Sequence, residues 1–117
     1  MPRPLDREFL TAFWKAHVLH HAAEGPVYGL WLLEELGRHG YRLSPGTLYP
    51  LLARMERSGL LRSSAAAGVK GRRSYHITAA GRRALGTLRK RIAELHQEVV
   101  VETKELRPTT SRARRRS

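Results

Sequence analysis

The stretch SPGTLYPLLARMERSGLL, residues 44–61, has the features of a single capped helix. Ser44 is a favoured N-cap residue, Pro45 suits the first helical position, and Gly59 suits the left-handed conformation that ends a helix. Between these ends, apolar residues recur at helical spacing and form one stripe: Leu48, Leu51, Leu52 and Met55. The other side carries hydroxyl and guanidinium groups. The pattern therefore predicts a helix over 45–58 with a polar face open to a partner.

Two further helices are predicted before this one. The first, over about 6–23, begins with Asp6 as its N-cap and ends before Gly25-Pro26. The second, over about 28–38, leads into a short extended link at 41–43. Two helices joined by a tight connection form a helix-turn-helix, in which the later helix is available to the major groove of DNA. The helix at 45–58 is the candidate recognition helix.

A basic β-hairpin is predicted directly after residues 44–61. Two short strands, over about 60–67 and 72–78, flank the loop Gly68-Val69-Lys70-Gly71. Cationic residues cluster at and beside the tip, where they can reach phosphates or enter a minor groove: Lys70, Arg72 and Arg73. We interpret the hairpin as the wing of a winged helix-turn-helix. A solvated charged hairpin is the alternative.

A long fourth helix is predicted from Ala79 to about Leu106. At 1.5 Å per residue its roughly 28 residues extend about 42 Å, which is more than a domain of this size covers. Apolar residues at alternating intervals of three and four form the seam of a heptad repeat: Leu85, Leu88, Ile92, Leu95 and Val99. We expect this seam to be the interface of a homodimer. Packing within its own subunit is the alternative.

The predicted fold class is mainly α with a small β-hairpin, that is, a winged helix-turn-helix with a long C-terminal dimerisation helix. The DNA-binding domain covers 1–78 and the dimerisation helix covers 79–106. Residues 107–117 form a basic tail with too little apolar surface to fold. Small domains of this kind are often completed by oligomerisation.

The composition is strongly basic. The 117 residues include 22 Lys plus Arg against 10 Asp plus Glu, with a formal net charge of +12. This balance favours polyanionic partners, with nucleic acid before an acidic membrane surface. The chain has no cysteine, which excludes disulfides and thiolate metal sites. No apolar run is long enough to span a bilayer, so we expect a cytoplasmic protein without a membrane partner.

Catalysis finds little support in the sequence. Asp6 is the only aspartate and lies at a helix cap, and no glycine-rich phosphate loop follows a strand. The residues do not suggest a nucleophile with a base and oxyanion donors. We therefore expect a protein that is not an enzyme and that carries no cofactor.

One face of the first helix carries candidate effector residues. Trp14, His17 and His21 share this face, where an indole ring can line a pocket for a planar molecule. Two histidines one turn apart can bind a borderline metal ion, but two ligands fall short of a closed zinc site. We assign the three residues to a small-molecule effector site and no residue to a metal. Core packing and a metal-responsive sensor using His17 and His21 are the alternatives.

Four segments resemble a known family: PVYGLWLLEEL (26–36), LSPGTLYPLL (43–52), MERSGLL (55–61) and GRRSYHITAAG (71–81). In this order and spacing they resemble the PadR family of bacterial transcriptional regulators over about residues 9–99. The resemblance implies a winged helix-turn-helix homodimer, usually a repressor, in which Tyr49 and the basic residues of the wing touch operator DNA. The single helix after the hairpin resembles the short branch of the family.

These patterns predict a sequence-specific transcriptional regulator that binds double-stranded DNA as a homodimer and acts as a repressor. The residues assigned to DNA binding are Ser44, Thr47, Tyr49, Arg54, Lys70, Arg72 and Arg73. A competing hypothesis is a basic dimeric interaction module that binds an acidic protein partner, because a fold does not dictate a function.

Overall fold

The computed structural model describes residues 5–65 and 73–102, and this part contains four α-helices and three short strands. The elements are α1 (Arg7–Glu24), β1 (Val27–Tyr28), α2 (Gly29–Arg38), α3 (Pro45–Arg57), β2 (Leu61–Ala65), β3 (Arg73–Ile77) and α4 (Ala79–His96), followed by a π-helical turn (Gln97–Val101). The mainly helical class with a small hairpin is confirmed. The predicted hairpin loop and basic tail lie outside the described residues.

The first helix begins and ends where the sequence predicts. Asp6 has an extended backbone, and its carboxylate accepts a hydrogen bond of 3.2 Å from the backbone N–H of Phe9. Such a bond satisfies one of the backbone donors left open at a helix start. Gly25 follows the last residue with a φ of 152°, a conformation that side chains disfavour, so the helix ends there.

The third helix also has the predicted ends, but its first turn is capped differently. The backbone carbonyl of Ser44 accepts bonds of 3.0 Å from the N–H groups of Thr47 and Leu48. The Ser44 hydroxyl makes no capping bond within the described residues and lies 3.5 Å from the hydroxyl of Thr47. At the other end Gly59 has a φ of 83°, which confirms the left-handed stop. Ser44 therefore occupies the predicted N-cap position, but its hydroxyl does not cap the helix.

The sheet has three strands in the order β1-β3-β2, and both pairings are antiparallel. The predicted hairpin is confirmed, because Leu61 pairs with Ile77 and Ala65 pairs with Arg73. The two-residue strand β1 was not predicted. Val27 of this strand pairs with Tyr75, so β3 has a paired strand on each side. This pairing anchors the wing to the helical part of the domain.

The core collects the apolar stripes of the helices around this sheet. Its largest fully buried side chains are Val18, Leu32, Leu36, Leu48, Leu51, Leu52, Met55 and Leu61. The predicted stripe of α3 belongs entirely to this set. Burying one such side chain stabilises a fold by roughly 1.5 to 3 kcal/mol, so the four residues of the stripe determine which face of α3 points outward.

The start of α4 is held against the turn that ends α3. The Thr78 hydroxyl accepts a 2.9 Å bond from the Gly81 N–H and donates to the Gly59 carbonyl at 2.5 Å. Gly81 also lies directly against the Leu60 carbonyl, so a Cβ there would overlap that oxygen and lie 2.7 Å from Cγ1 of Ile77. The packing therefore requires glycine at this position.

The chain divides into two compact units, one ending at Gly86 and the other beginning at Thr87, inside α4. In the first unit Leu85 is buried, so this member of the predicted seam packs within its own chain. In the second unit α-helical geometry ends at His96, earlier than predicted, and a π turn follows. The π turn carries three consecutive valines, whose β-branched side chains crowd an α-helical turn.

Among the helices of the described residues, none combines the length and the apolar character needed to cross a membrane.

Candidate functional site

The outward face of α3 carries polar groups beside one another. Ser44 and Arg54 are exposed and Thr47 is half-buried, because the apolar stripe of the helix points into the core. Hydroxyl and guanidinium groups are donors that suit the base edges and phosphates of a DNA major groove. Ser44, Thr47 and Arg54 are therefore accessible to a partner.

Tyr49 has a second environment that the sequence did not reveal. Its ring lies against Gly29, the first residue of α2, and a Cβ built on Gly29 would lie 2.5 Å from Cε1 and 2.6 Å from Cζ of the ring. The tyrosine is still 40% exposed. Tyr49 thus packs between the two helices of the helix-turn-helix, and its interaction with DNA stays a prediction.

A hydrogen-bonded chain joins α3 to the hairpin. The Glu56 carboxylate accepts bonds from the backbone N–H of Ser63 at 3.1 Å and from the Ser63 hydroxyl at 3.0 Å. The same hydroxyl accepts a 3.2 Å bond from the Arg73 guanidinium. These two bonds from Ser63 lower the pKa of Glu56 below its ordinary value, and the positive charge of Arg73 lowers it further.

This Glu56-Ser63-Arg73 chain gives the recognition helix and the wing a defined mutual position. Of the three predicted wing cations, Arg73 is exposed on β3, while Lys70 and Arg72 lie outside the described residues. Glu56 and Ser63 were missed as positioning residues. The available signal was that Glu56 is the only acidic residue in α3.

Histidines from α1 meet the end of α2. The His17 ring centroid lies 4.8 Å from that of His39 and 5.3 Å from that of Tyr41. His21, one turn further along α1, has its ring centroid 5.2 Å from that of Trp31, edge to face. The structure therefore brings the predicted His17 and His21 together and adds His39, which follows α2 and was not predicted.

Glu35 places a buried carboxylate beside these rings. Its Oε2 atom lies 3.2 Å from Nε2 of His39 and 3.5 Å from Nε2 of His21, and its Oε1 atom lies 3.1 Å from the Arg38 guanidinium. The His39 interaction is a hydrogen bond, whereas the His21 pair is not aligned as one. A buried carboxylate is costly unless it is paired, and these cations and N–H groups supply the pairing.

Burial lowers the pKa of both His17 and His21. Their histidine neighbours add to this effect, and for His17 the largest such contribution comes from His39. The Glu35 carboxylate partly offsets the lowering in each case. A lowered pKa favours the neutral ring, the form in which one ring nitrogen keeps a free lone pair.

The third predicted effector residue lies elsewhere. Trp14 is 5% exposed and belongs to the core, and its indole N–H has no hydrogen-bond partner within the described residues. An open groove of about 580 Å³ runs between the end of α1, β1 and α2, and its lining includes His21, Trp31, Glu24 and Glu34 but not Trp14. Trp31 is the indole that faces this groove.

A winged hairpin beside a polar recognition helix is an architecture that places a helix in the major groove of DNA. A sequence model of the transcriptional regulator PadR-like family matches residues 18–87, which is more than half of the chain. The chain belongs to the PadR-like family. The resemblance found in the sequence is confirmed.

Relatives of this PadR-like regulator cover a larger share of the chain than the family model does. A curated protein of Mycobacterium tuberculosis named transcriptional regulator Rv3488 is 52% identical over 95 residues, which cover 80% of this chain and 89% of the relative. A PadR family regulator structure from Eggerthella lenta is 32% identical, with a TM-score of 0.71 and coverage of 85% and 88%. A PadR-like regulator structure from Bacillus cereus is 26% identical, with a TM-score of 0.75 and coverage of 85% and 99%.

The names of these relatives agree that the PadR-like chain is a transcriptional regulator. They also support the prediction that it is not an enzyme. The structural neighbours are PadR-like regulators, which confirms the predicted winged helix-turn-helix fold.

Proposed function

We propose that this regulator is a homodimeric repressor that binds a specific double-stranded DNA operator through α3 and the hairpin. The observation that carries the proposal is the Glu56-Ser63-Arg73 chain, because it links a helix with an exposed polar face to a basic hairpin. Arg54 can read a guanine through two hydrogen bonds, and Arg73 can bind the phosphate backbone. Such a protein acts where the chromosome is, in the cytoplasm of a bacterium.

The second unit supports the dimer. Within residues 87–102, three large apolar side chains of the predicted seam are about half exposed: Ile92 at 49%, Leu95 at 54% and Val99 at 53%. A second copy of the same helix would cover them through heptad packing. A two-fold dimer would offer two recognition helices to half-sites about 34 Å apart, one turn of DNA.

Ligand response is the finer part of the proposal. The groove beside His21 and Trp31 offers an aromatic wall to a planar effector, and it borders the first turn of α2. A ligand changes operator affinity only if it binds two conformations of the protein with different affinity. The effector would therefore have to favour one position of α2 relative to its neighbours.

The test is selection of operator sequences from a random duplex pool, followed by binding titrations of Arg54→Ala and Arg73→Ala across salt concentrations. We expect a palindromic sequence enriched about 10³-fold over bulk DNA. Arg73→Ala should lower the salt slope by about one, whereas Arg54→Ala should weaken binding to the selected sequence with little change in the slope. Arg89→Ala is the matched control, because it removes an exposed arginine from α4. Absence of any enriched sequence would reject the operator and favour the acidic protein partner.

A further inference from the structure

We propose that His17, His21, His39 and Glu35 form a binding site for a borderline divalent cation of the Zn²⁺ class. The site joins the middle of α1 to the end of α2, directly before the link to the recognition helix. It adds two ligands to the histidine pair that the sequence had suggested. The inference does not depend on the DNA-binding function.

The first support is the spacing of the ligand atoms. One nitrogen from each of the three histidines lies within 4.8 Å of the others. In a tetrahedral zinc site, bonds of about 2.0 to 2.1 Å place neighbouring ligand atoms about 3.3 Å apart. Oε2 of Glu35 already has this separation from His39 and His21, at 3.2 and 3.5 Å. Among the three histidine nitrogens, closing a gap of 4.8 Å to this separation takes about 1.5 Å, a distance that side-chain rotation can supply.

The second support is the state of the polar groups that face the site. Nε2 of His21 is buried and has no hydrogen-bond partner within residues 5–65 and 73–102. Buried polar groups of this kind are rare unless a water or an ion satisfies them. The nitrogen lies beside Oε2 of Glu35. A cation between these two atoms would satisfy both.

The carboxylate is also oriented for binding. The Arg38 guanidinium holds Oε1 of Glu35 at 3.1 Å and leaves Oε2 toward the histidines. In the metal-free protein, Oε2 accepts the N–H of His39. A cation would replace this proton, which moves to the other ring nitrogen or to solvent. Zn²⁺ would then take the place of the positive end of this hydrogen bond.

The donor set determines which ions fit. Three imidazole nitrogens and one carboxylate oxygen suit Zn²⁺, Co²⁺, Ni²⁺ and Cu²⁺, whereas Mg²⁺ and Ca²⁺ prefer oxygen ligands. The half-exposed His39, with 47% of its side chain open, leaves the ion a path from solvent.

A second cluster shares one residue with this site and must be distinguished from it. His20, His21 and Glu24 also lie close enough to hold an ion. The side chains of His20 and Glu24 are 49% and 65% exposed, so these groups are well solvated and their geometry is less constrained. Because His21 belongs to both clusters, variants of the other members separate the two.

The experiment is a titration of the metal-free full-length protein with Co²⁺, followed by visible absorption, and then competition with Zn²⁺. We expect one ion per chain in a tetrahedral spectrum and a higher midpoint of thermal unfolding with Zn²⁺. His17→Ala and His39→Ala should weaken binding at least about 100-fold, and Glu35→Gln about 10- to 100-fold. His20→Ala should leave the affinity within about twofold of the unaltered protein.

Three results would overturn the site: no ion bound by the unaltered protein, equal affinity in all variants, or loss of binding in His20→Ala and Glu24→Gln with His39→Ala unaffected. His39→Gln keeps a polar side chain of similar length and serves if His39→Ala unfolds. Arg54→Ala should bind Co²⁺ normally even if it loses DNA. Failure of the metal site and failure of the operator model therefore give different results.

Discussion

The ring of Tyr49 lies directly on the backbone of Gly29, so that no side chain fits between the two helices of the helix-turn-helix at this point. The two residues belong to separate segments of the chain, PVYGL and SPGTLYP. Their packing explains why a glycine stands at the first position of α2, where it is otherwise a poor choice for a helix. The close approach fixes how α2 and α3 meet.

Gly29→Ala should therefore destabilise the protein by about 1 to 3 kcal/mol, because the new methyl group forces the Tyr49 ring to move. The measurement is urea unfolding followed by circular dichroism. Gly37→Ala is the matched control, since a Cβ there meets nothing within 4 Å. The control should stabilise α2 by up to about 1 kcal/mol through helix propensity.

Removal of the Tyr49 ring should abolish the destabilisation that Gly29→Ala causes. In a Tyr49→Ala background, Gly29→Ala should be neutral or slightly stabilising, and the double-mutant cycle should give a coupling of at least about 1 kcal/mol. Additive effects of the two substitutions would contradict the packing role assigned to Tyr49.

Glu56→Gln should loosen the wing and lower stability by about 1 kcal/mol at neutral pH, because the carboxylate accepts two bonds from Ser63 at a partly solvated site. Glu94→Gln, at an exposed position of α4, is the control and should be neutral. Operator affinity should fall in Glu56→Gln and not in the control. Unchanged stability and unchanged operator affinity would show that Glu56 does not hold α3 and the wing together.

The same carboxylate predicts a pH dependence. The pKa of Glu56 is lower in the folded protein than its ordinary value of 4.5. Its stabilising contribution is therefore fully present above pH 4.5 and is lost as the pH falls through the lower folded pKa. Unfolding free energies measured between about pH 3 and 6 should converge for the unaltered protein and Glu56→Gln at the acidic end. A constant difference across this range would contradict the assignment.

Gly81→Ala should destabilise the domain by about 1 to 3 kcal/mol, because its methyl group would meet the Leu60 carbonyl and Ile77 where little movement is available. Gly86→Ala provides the comparison within the same helix, since a Cβ at that position meets nothing within 4 Å. Thermal unfolding of the two variants should shift in opposite directions. A Gly81→Ala protein as stable as Gly86→Ala would mean that the start of α4 can move away from the turn.

Ile92→Asp should break the proposed dimer, because it places a charge in the apolar seam and costs several kcal/mol of association. Sedimentation equilibrium would measure the monomer fraction. Lys90→Asp also introduces an aspartate at an exposed position of α4, but outside the seam, and should leave the dimer intact. A dimeric Ile92→Asp protein would show that the interface lies on another surface.

Local signals in the sequence predicted the bounds of the first three helices well. The ends of α3 followed from Ser44, Pro45 and Gly59, and the face that is buried followed from the spacing of its leucines. These features depend on residues within a few positions of one another. Strand β1 was missed because two residues carry no periodic pattern, and its pairing partner Tyr75 is far away in the chain.

The candidate sites were less predictable because they depend on tertiary packing. His17 and His21 are one turn apart and could be paired from the sequence, whereas His39 and Glu35 reach them only through the packing of α2 on α1. The hydroxyl of Ser63 likewise meets Glu56 only after the hairpin folds back. For Trp14, the core packing that the sequence left as an alternative to an effector pocket is the position that the structure gives it.

The π turn at 97–101 changes the angular phase of the last part of the chain described. Its hydrogen bonds run from residue i to i+5, so one turn holds an extra residue compared with an α-helix. In a continuous α-helix, Val99 would be the next residue on the face that carries Ile92 and Leu95. In the wider π turn, that face is reached one residue later. Because Val99, Val100 and Val101 are consecutive, an apolar side chain reaches that face in either register. The three valines therefore keep this face of the helix apolar whether the turn is α-helical or π-helical.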